Sequence, residues 1–371
     1  MLYRVINTDE VPALISAFLG SYEVVAPVTK DGATTFRCVS NADEVDLSSP
    51  HPKGSLKRFF LPPRETLLTF DIENNKLTDF KEEISPRVIF GAHACDINAL
   101  NRLDLVFKNG KYPDPYYTAR RDATLIIGVS CTPDDTCFCN LWGSDEAHFG
   151  YDLFLWDLQT GSTLVSMSNV EAATILESTC ELRLADDEDR VAFRKLTRTR
   201  QSSFSNKIPD IQEVAMLMDV FHADPFWDEL GSRCLSCSAC ASVCPTCFCF
   251  DIQDSRDASG RCGSRERVWD ACTSPQFALV AGGHNFRSTA RDRVRHRMYH
   301  KLNGFLATHD RMLCVGCGRC VKACKADINP IRVLEFFEEK AGSGAVVPNA
   351  DGSCTASTSK QDFGKAGSNE C

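Results

Sequence analysis

Residues 233–245 read Arg-Cys-Leu-Ser-Cys-Ser-Ala-Cys-Ala-Ser-Val-Cys-Pro, and the same cysteine spacing returns in residues 314–324, Cys-Val-Gly-Cys-Gly-Arg-Cys-Val-Lys-Ala-Cys. Three cysteines at two-residue gaps let a tight turn wrap three irons of a cubane, while the fourth cysteine reaches a second cluster. The two copies therefore predict two [4Fe–4S] clusters with crossed fourth ligands. Cluster site 1 would take Cys234, Cys237, Cys240 and Cys324, and cluster site 2 would take Cys314, Cys317, Cys320 and Cys244.

Zinc is the alternative for these cysteines, because paired C-x-x-C motifs also suit a structural zinc site. Zinc does not require a regular third and fourth cysteine, so eight cysteines in this doubled register favour the clusters. A stretch of 69 residues separates Cys244 from Cys314. That length favours the dicluster type in which helices fill the gap over a compact bacterial ferredoxin.

The composition of the whole chain agrees with an intracellular metalloprotein. Twenty of the 371 residues are cysteine, whereas disulfide frameworks belong mostly to small secreted domains. The first residues form no apolar signal core, and no uncharged apolar run approaches the roughly 20 residues of a membrane helix. We therefore expect a cytoplasmic chain without membrane insertion, whose reduced thiols can bind metals. The net charge of −9 disfavours binding to nucleic acid.

The N-terminal residues have the pattern of an α/β domain. Val11–Leu19 follow helical spacing, and the runs Arg87–Gly91 and Thr124–Val129 are short, apolar and rich in β-branched residues, which suits buried strands. A helix is predicted between these two runs, from Asp96 as its N-cap to Phe107. Strand, helix and strand in this order predict a βαβ unit with parallel strands.

Four further cysteines follow these two strands and form what we call the N-terminal quartet: Cys95, Cys131, Cys137 and Cys139. The carboxyl ends of parallel neighbours meet at one edge of a sheet, where α/β folds place their sites. The quartet is therefore predicted to hold a third [4Fe–4S] cluster. A single zinc ion on the same ligands is one alternative. In the other, Cys95 and Cys131 are small buried residues and the C-x-C of Cys137 and Cys139 is incidental.

Two further features lie between the cluster motifs. Cys247, Cys249, Cys262 and Cys272 are interpreted as packing thiols, with ligands of an extra centre as the alternative. Residues 286–301 are strongly basic, with Arg287, Arg291 and Arg295 on one helical face. A solvated face is the simple interpretation, and RNA binding would need more aromatic residues. A third interpretation is favoured, in which the basic residues provide electrostatics towards a partner or a cluster. A cubane with its four thiolates carries about −2, and arginines near it would offset that charge.

The pattern divides the chain into four parts. Residues 1–160 form the α/β domain with the candidate third site, and residues 161–229 form a connecting region packed on it. Residues 230–335 form a mainly α-helical dicluster ferredoxin-like domain. Residues 336–371 form a flexible tail, because the chain after Lys340 is rich in small polar residues.

The chain also resembles a known family, in the stretches Gly91–Asp96, Ile127–Cys131, Cys137–Cys139, Arg233–Cys249, Arg267–Cys272, Ala281–Arg287 and Met312–Cys320. These are similar to the 4Fe–4S dicluster β subunit of cytoplasmic sulfhydrogenases, to the iron–sulfur chain of the corresponding type in anaerobic sulfite reductases, and to the related chain of flavin oxidoreductase–heterodisulfide reductase complexes. The likeness covers most of residues 1–335. Lys325 departs from it, because proline often follows the fourth cysteine.

The resemblance implies a subunit that relays electrons between a separate FAD subunit, which oxidises NAD(P)H or ferredoxin, and a catalytic subunit. That catalytic subunit would be of hydrogenase, sulfite reductase or heterodisulfide reductase type. The sequence agrees, because it has no dinucleotide fingerprint and no P-loop. Two other hypotheses stay open: a cluster-bearing reductase with its own substrate site at the N-terminal quartet, and a metal-dependent scaffold.

Overall fold

A mixed seven-stranded sheet forms the centre of the N-terminal part of the molecule. The computed structural model describes residues 2–49, 52–79, 84–205, 211–342, 347–348 and 354–355. The strands of this sheet are β1 (Leu2–Asn7), β2 (Glu23–Lys30), β3 (Ala33–Cys38), β6 (Arg87–Ala92), β7 (Thr124–Val129), β8 (Leu153–Asp157) and β9 (Ser162–Met167). Their spatial order is β1-β9-β8-β7-β6-β2-β3. The four inner strands β8, β7, β6 and β2 are parallel, and the outer pairings are antiparallel.

Helices cover both faces of this sheet, which confirms the predicted α/β architecture. They are α1 (Val11–Leu19), α2 (Ala94–Phe107), α3 (Pro115–Asp122), α4 (Val170–Thr179) and α5 (Asp187–Ser202). On one face Leu14 and Phe18 of α1 pack with Leu176 of α4. On the other face Ile97 of α2 packs with Tyr117 of α3. The predicted βαβ unit is present with one more helix than expected, because α2 and α3 together connect the parallel neighbours β6 and β7.

A second, four-stranded antiparallel sheet joins distant parts of the chain. It contains β4 (Arg64–Asp71), β5 (Lys76–Asp79), β10 (Phe250–Arg256) and β11 (Cys262–Trp269), in the spatial order β10-β11-β4-β5. The hairpin β10–β11 lies between the two cluster motifs and pairs through β11 with β4 of the N-terminal part. The gap after Cys244 therefore begins with a hairpin, where the sequence predicted helices.

The remaining helices form the C-terminal core. They are α6 (Ile211–Val220), α7 (Phe226–Arg233), α8 (Ala239–Ser242), α9 (Ala290–Leu302), α10 (Leu306–His309), α11 (Arg319–Ala323) and α12 (Pro330–Gly342). Met218, Trp227, Met298 and Phe337 are fully buried in one cluster of side chains. Two short strands, β12 (Val347–Pro348) and β13 (Cys354–Thr355), pair with each other.

Three boundaries expected from the sequence differ from those in the structure. The boundary at residue 160 precedes β9, which lies between β1 and β8 in the large sheet. Residues 211–233 pack against α9 rather than on the α/β domain, because their apolar side chains share the C-terminal core. The tail expected from residue 336 starts inside α12, where burial of Phe337 holds the helix in place. Beyond Gly342, all but four residues of that tail lie outside the described residues.

The length and hydropathy of the helices show whether any of them could cross a membrane. Among the described residues, none of the helices has the length and apolar character needed to cross a bilayer.

Candidate metal centres

The first cavity of interest is lined by all four cysteines of cluster site 1. Cys234, Cys237 and Cys240 come from the loop between α7 and α8, and Cys324 comes from the end of α11. Cys324 lies more than eighty residues further along the chain. Its presence in this cavity is the crossed arrangement that the spacing predicts.

The cysteines of cluster site 2 are likewise brought together from both motifs. Burial raises the pKa of the Cys314 thiol to about 11, and the nearby Cys244 adds to that rise. Cys244 acts in the same direction on the pKa values of Cys317 and Cys320, where burial is again the main cause. Cys244 therefore lies within electrostatic reach of all three cysteines of the second motif.

Both motifs use the same unusual backbone conformation. Ser236 and Ser238 have positive φ angles of 50° and 60°, and Gly316 and Gly318 at the matching positions have 66° and 73°. These turns direct main-chain amides at cysteine sulfurs: the N–H of Ser236 donates to Cys234 Sγ, and that of Gly316 donates to Cys314 Sγ, both over 3.4 Å. Such donors stabilise thiolates and raise the potential of a cluster they surround.

Helix α9 places three buried cations along the first motif. Arg293 donates to Ser236 Oγ over 3.0 Å, and Arg297 donates to the carbonyl of Cys240 over 3.4 Å. Lys301 donates to the carbonyl and the hydroxyl of Thr246, each over 3.0 Å. The three residues are spaced by four, so they share one face of the helix, and each is at most 6% exposed.

This face is not the one that the sequence suggested. Arg287 precedes α9, whose N-cap is Thr289. Arg291 pairs with Asp228, and Arg295 pairs with Asp292 at the surface. The interpretation as cluster electrostatics therefore belongs to the opposite face of the helix. The arginine pattern alone did not distinguish the two faces, since both are basic.

Arg297 lies between the two cluster sites. Burial opposes its charge, but Cys240 of site 1 and Cys320 of site 2 outweigh that effect and hold its pKa above the ordinary value. Its Nε atom is buried and, within the described residues, has no hydrogen-bond partner. A buried N–H donor that faces thiols is suited to an anionic group rich in sulfur. The residues present therefore fit a [4Fe–4S] cluster at each site.

The N-terminal quartet lines a second cavity. Cys95, from the first turn of α2, lies there with Cys131, Cys137 and Cys139 from the segment after β7. Burial raises the pKa of Cys131 to about 11 and that of Cys137 to about 12. Thiols held in this way bind metal only after they lose protons.

The end of helix α5 and the loop after it close this cavity. Arg200 and Phe204 line it, and Arg200 donates to Asp145 Oδ2 over 2.9 Å. Gln201 donates to the same carboxylate oxygen over 2.7 Å. The part of the predicted connecting region that packs on the α/β domain therefore covers the quartet.

The quartet and cluster site 2 are in direct contact. Cys317 lines the quartet cavity and packs with Cys95 and Cys139 in one buried group. A Cβ atom at Gly316 would lie 2.5 Å from the carbonyl oxygen of Phe138 and 2.6 Å from the amide nitrogen of Cys139. Only glycine allows this approach, so the second motif is fitted against the quartet loop.

A buried ion pair fixes the same junction. Arg319, between Cys317 and Cys320, contacts Asp96 over 2.8 and 2.9 Å, and both side chains are almost fully buried. Asp96 was predicted as the N-cap of α2, but that position is held by His93. Asp96 lies three residues into the helix, where its carboxylate meets the guanidinium of the second cluster motif.

Lys57 is one of the cations that sequence reasoning missed. It comes from the N-terminal part, is 3% exposed, and donates to the carbonyl of Ala241 over 3.4 Å. Its ammonium faces Cys244, Cys247 and Cys249, although burial lowers its pKa. No local motif surrounds Lys57, so no sequence signal could have assigned it.

The spacing of the ligands bears on the zinc alternative. Over the part of the chain that the structure describes, no three His, Cys, Asp or Glu side chains are grouped so that they could hold a metal ion.

Comparison with known proteins places both cysteine motifs in a described domain family. A family model described as a 4Fe-4S dicluster domain matches residues 233–328. Sulfhydrogenase 2 subunit beta of Pyrococcus furiosus is 33% identical over 340 residues, which is 91% of this chain and 99% of that protein. The chain belongs to the 4Fe–4S β-subunit family. As a member of this family it is an iron–sulfur electron-transfer subunit of an oxidoreductase, and it carries [4Fe–4S] clusters.

Proposed function

We propose that this chain relays electrons between a flavin subunit that oxidises NAD(P)H and a catalytic subunit of hydrogenase type. Three [4Fe–4S] clusters would carry the electrons, one at each cluster site and one at the N-terminal quartet. The name of the Pyrococcus furiosus relative supports a hydrogenase-type partner. The flavin partner follows from the family resemblance. Sulfite reductase and heterodisulfide reductase partners are the alternatives for the catalytic subunit.

The observation that carries the proposal is the exchange of the fourth cysteines. Cys324 lines the cavity of the first motif, and Cys244 lies among the cysteines of the second. Two sites that exchange ligands must be close neighbours, and a bound [4Fe–4S] cluster supplies one-electron redox chemistry. Neighbouring one-electron centres are what a relay requires.

The chain's own residues would set how readily each site accepts an electron. Arg297, Lys301 and Lys57 place positive charge beside the thiolates, which favours the reduced and more negative form. Amides from Ser236 and Gly316 act in the same direction. The apolar side chains around α9 keep water away, so these charges are weakly screened.

The exposure of the cysteines suggests where electrons enter and leave. Cys237 is exposed at site 1, and Cys131 is half-buried at the quartet. Cys314, Cys317 and Cys320 of site 2 are buried between them. We therefore propose a linear order, quartet to site 2 to site 1, in which partner subunits dock at the two ends.

The alternative function, a reductase with its own substrate at the quartet, would need an iron with an open ligand position. All four quartet cysteines line the same cavity. That arrangement supports a relay centre with four thiolate ligands.

The number of clusters is tested by measuring iron and sulfide in protein prepared without oxygen, with EPR after reduction. Three cubanes require about twelve irons per chain and two require about eight. Zinc as the main metal would reject the redox proposal. Activity of the chain alone with an artificial donor would reject a pure relay.

Single cysteine variants test the ligand sets. Cys317→Ser and Cys131→Ser should each lose about four irons, because each removes a ligand of a different cubane. Cys262→Ser is the control, because Cys262 is exposed on β11, away from the three sites. If Cys131→Ser keeps its full iron content, the quartet does not hold a cluster.

The partner assignment is tested by isolating the native complex. We expect two kinds of partner to co-purify with the chain, one containing flavin and one catalytic. NAD(P)H should reduce the clusters only when the flavin partner is present. Reduction of the isolated chain by NAD(P)H would contradict this division of labour.

A further inference from the structure

Three cysteines outside the cluster sites and the quartet gather at the base of the β10–β11 hairpin. Cys249 immediately precedes β10, and Cys272 lies three residues after the end of β11. The pairing of the hairpin continues to its base, because the N–H of Asp270 donates to the carbonyl of Cys249 over 3.0 Å. The backbone therefore brings Cys249 and Cys272 together from either side of the hairpin.

The thiols of this group are arranged in pairs. Cys272 lies close enough to Cys249 for its side chain and its backbone N–H to stabilise the Cys249 thiolate and lower its pKa. The third cysteine, Cys247, is engaged elsewhere, because its thiol donates to Cys244 of cluster site 2 and its side chain packs against Ala241 and Ala271. Cys249 and Cys272 are thus partners of each other rather than parts of a larger ligand set.

The two members of the pair differ in access and in charge. Cys249 is half-buried, whereas Cys272 is 3% exposed. The hydrogen bond from Cys272 lowers the pKa of Cys249 to about 6 against the opposing effect of burial, and the Lys301 charge helps. The same bond and burial raise the pKa of Cys272. Such a pair has one accessible thiolate and one protected thiol.

We propose that Cys249 and Cys272 form a redox-active dithiol that exchanges with small-molecule disulfides, with Cys249 as the attacking residue and Cys272 as the resolving one. This site is separate from the proposed clusters and does not depend on their number. Its substrate class is defined by the chemistry of the pair: a small-molecule disulfide whose sulfur can reach Cys249 at the hairpin base.

The reaction balances without another reactant. The Cys249 thiolate attacks one sulfur of the external disulfide, an S–S bond to Cys249 forms, and the first small thiolate leaves and takes a proton from solvent. Cys272 Sγ then attacks Cys249 Sγ, and the mixed disulfide breaks. The second thiolate leaves with the proton that Cys272 gives up. The external disulfide is reduced to two thiols, and the protein dithiol is oxidised to one disulfide.

Closing this disulfide would tie the hairpin to the segment that carries Cys247 and Cys244. Thr246 in that segment accepts from Lys301, and Ala241 accepts from Lys57. The oxidised pair would therefore lie next to the cations of cluster site 2. From this position, the oxidation state of the dithiol can affect cluster site 2 through these cations.

The test uses the full chain with its clusters, purified without oxygen and treated with oxidised glutathione. Remaining thiols are then blocked with iodoacetamide, and peptides are mapped by mass spectrometry while iron is measured in parallel. We expect a peptide that links Cys249 to Cys272, with unchanged iron content. Cys272→Ser should trap glutathione on Cys249, and Cys249→Ser should trap none on Cys272.

Cys262→Ser is the matched control on the same hairpin and should form the linked peptide like the unaltered chain. The proposal is overturned if both thiols remain free to react with iodoacetamide, or if the link appears only as iron is lost. It is also overturned if Cys249→Ser or Cys272→Ser lowers the iron content, because the two cysteines would then be cluster ligands.

Discussion

Arg297 is a residue whose charge reaches both cluster sites. Its guanidinium is buried, contacts the carbonyl of Cys240 and faces Cys320 from the other motif. A charge about 7 Å away changes a one-electron couple by about 2 kcal/mol at an effective dielectric constant of about 20. One residue can therefore shift the potentials of two neighbouring centres.

Replacing this charge should make reduction of the clusters harder. We expect Arg297→Met to lower the midpoint potential of at least one cluster by about 50–100 mV, since about 1.4 kcal/mol corresponds to about 59 mV for one electron. Redox titration followed by EPR measures the shift. Arg297→Lys should restore most of it. Arg295→Met is the control, because Arg295 contacts Asp292 and the carbonyl of His222 at the surface, and an equal shift there would contradict the assignment.

Because His300 is buried, we expect the protein to lose stability in acid. Burial, together with the charges of Lys301 and His296, lowers its pKa to about 4, while Cys244 acts weakly in the opposite direction. The unfolded chain binds this proton below about pH 6.5 and the folded chain does not. The contribution of neutral His300 to the free energy of unfolding is therefore fully present above about pH 6.5. It is lost as the pH falls towards 4.

Between pH 6.5 and 4 we expect the titration of His300 to lower the free energy of unfolding by about 1–3 kcal/mol. His300→Gln should flatten this part of the curve of unfolding free energy against pH. His148 is exposed, so His148→Gln should leave the curve unchanged. A curve for His300→Gln that keeps the full acid slope would assign the loss to other groups.

At the scale of elements, the four-stranded sheet connects the region between the two cluster motifs to the N-terminal part. Glu65 of β4 accepts from Arg120 of α3 and from Arg267 of β11, each over 2.7 Å, and all three side chains are buried. Arg267 also contacts Asp114, which caps α3. A buried carboxylate shared by two guanidinium groups leaves uncompensated charge when it is removed.

Glu65→Gln should destabilise the protein by about 3–5 kcal/mol, because two buried arginines lose their shared partner. Denaturant unfolding followed by circular dichroism measures the change. Glu266→Gln is the control on β11, since its partner Arg64 is more than half exposed and such a pair contributes about 0–1 kcal/mol. Equal losses in both variants would contradict the role of the buried network.

At the scale of the whole molecule, the cluster region is joined to the α/β domain at several points. Arg319 pairs with Asp96, and Arg102 of α2 donates to the carbonyl of Met312 over 2.7 Å, two residues before Cys314. Lys57 reaches Ala241 in the first motif. The second motif therefore depends on side chains from the N-terminal part for its shape and charge.

A fragment containing residues 230–342 should lose most of its iron when expressed alone. It lacks Asp96, Arg102 and Lys57, and β11 loses its partner β4. Iron content and thermal melting, compared with the full chain, measure the effect. A fragment that keeps about eight irons and melts like the full chain would show that the predicted domain boundary is a true folding boundary.

The sequence by itself determined the features that depend on local spacing. Helix α1 and strand β7 have the predicted limits, because periodicity and short apolar runs are properties of neighbouring residues. The crossed arrangement of Cys324 and Cys244 was also predictable, since the spacing of each motif leaves its fourth cysteine pointing away from its own turn. The N-terminal quartet could be anticipated from two parallel strands that end at one edge.

Only the tertiary structure decided which charges face the sulfurs. Both faces of α9 are basic, and packing of its Met298 with Trp227 in the C-terminal core makes Arg293, Arg297 and Lys301 the buried face. Lys57, the Asp96–Arg319 pair and the Cys249–Cys272 contact each join residues from distant parts of the chain or from opposite sides of a hairpin. Such contacts follow from long-range packing and strand pairing, which leave no periodic trace in the sequence around either partner.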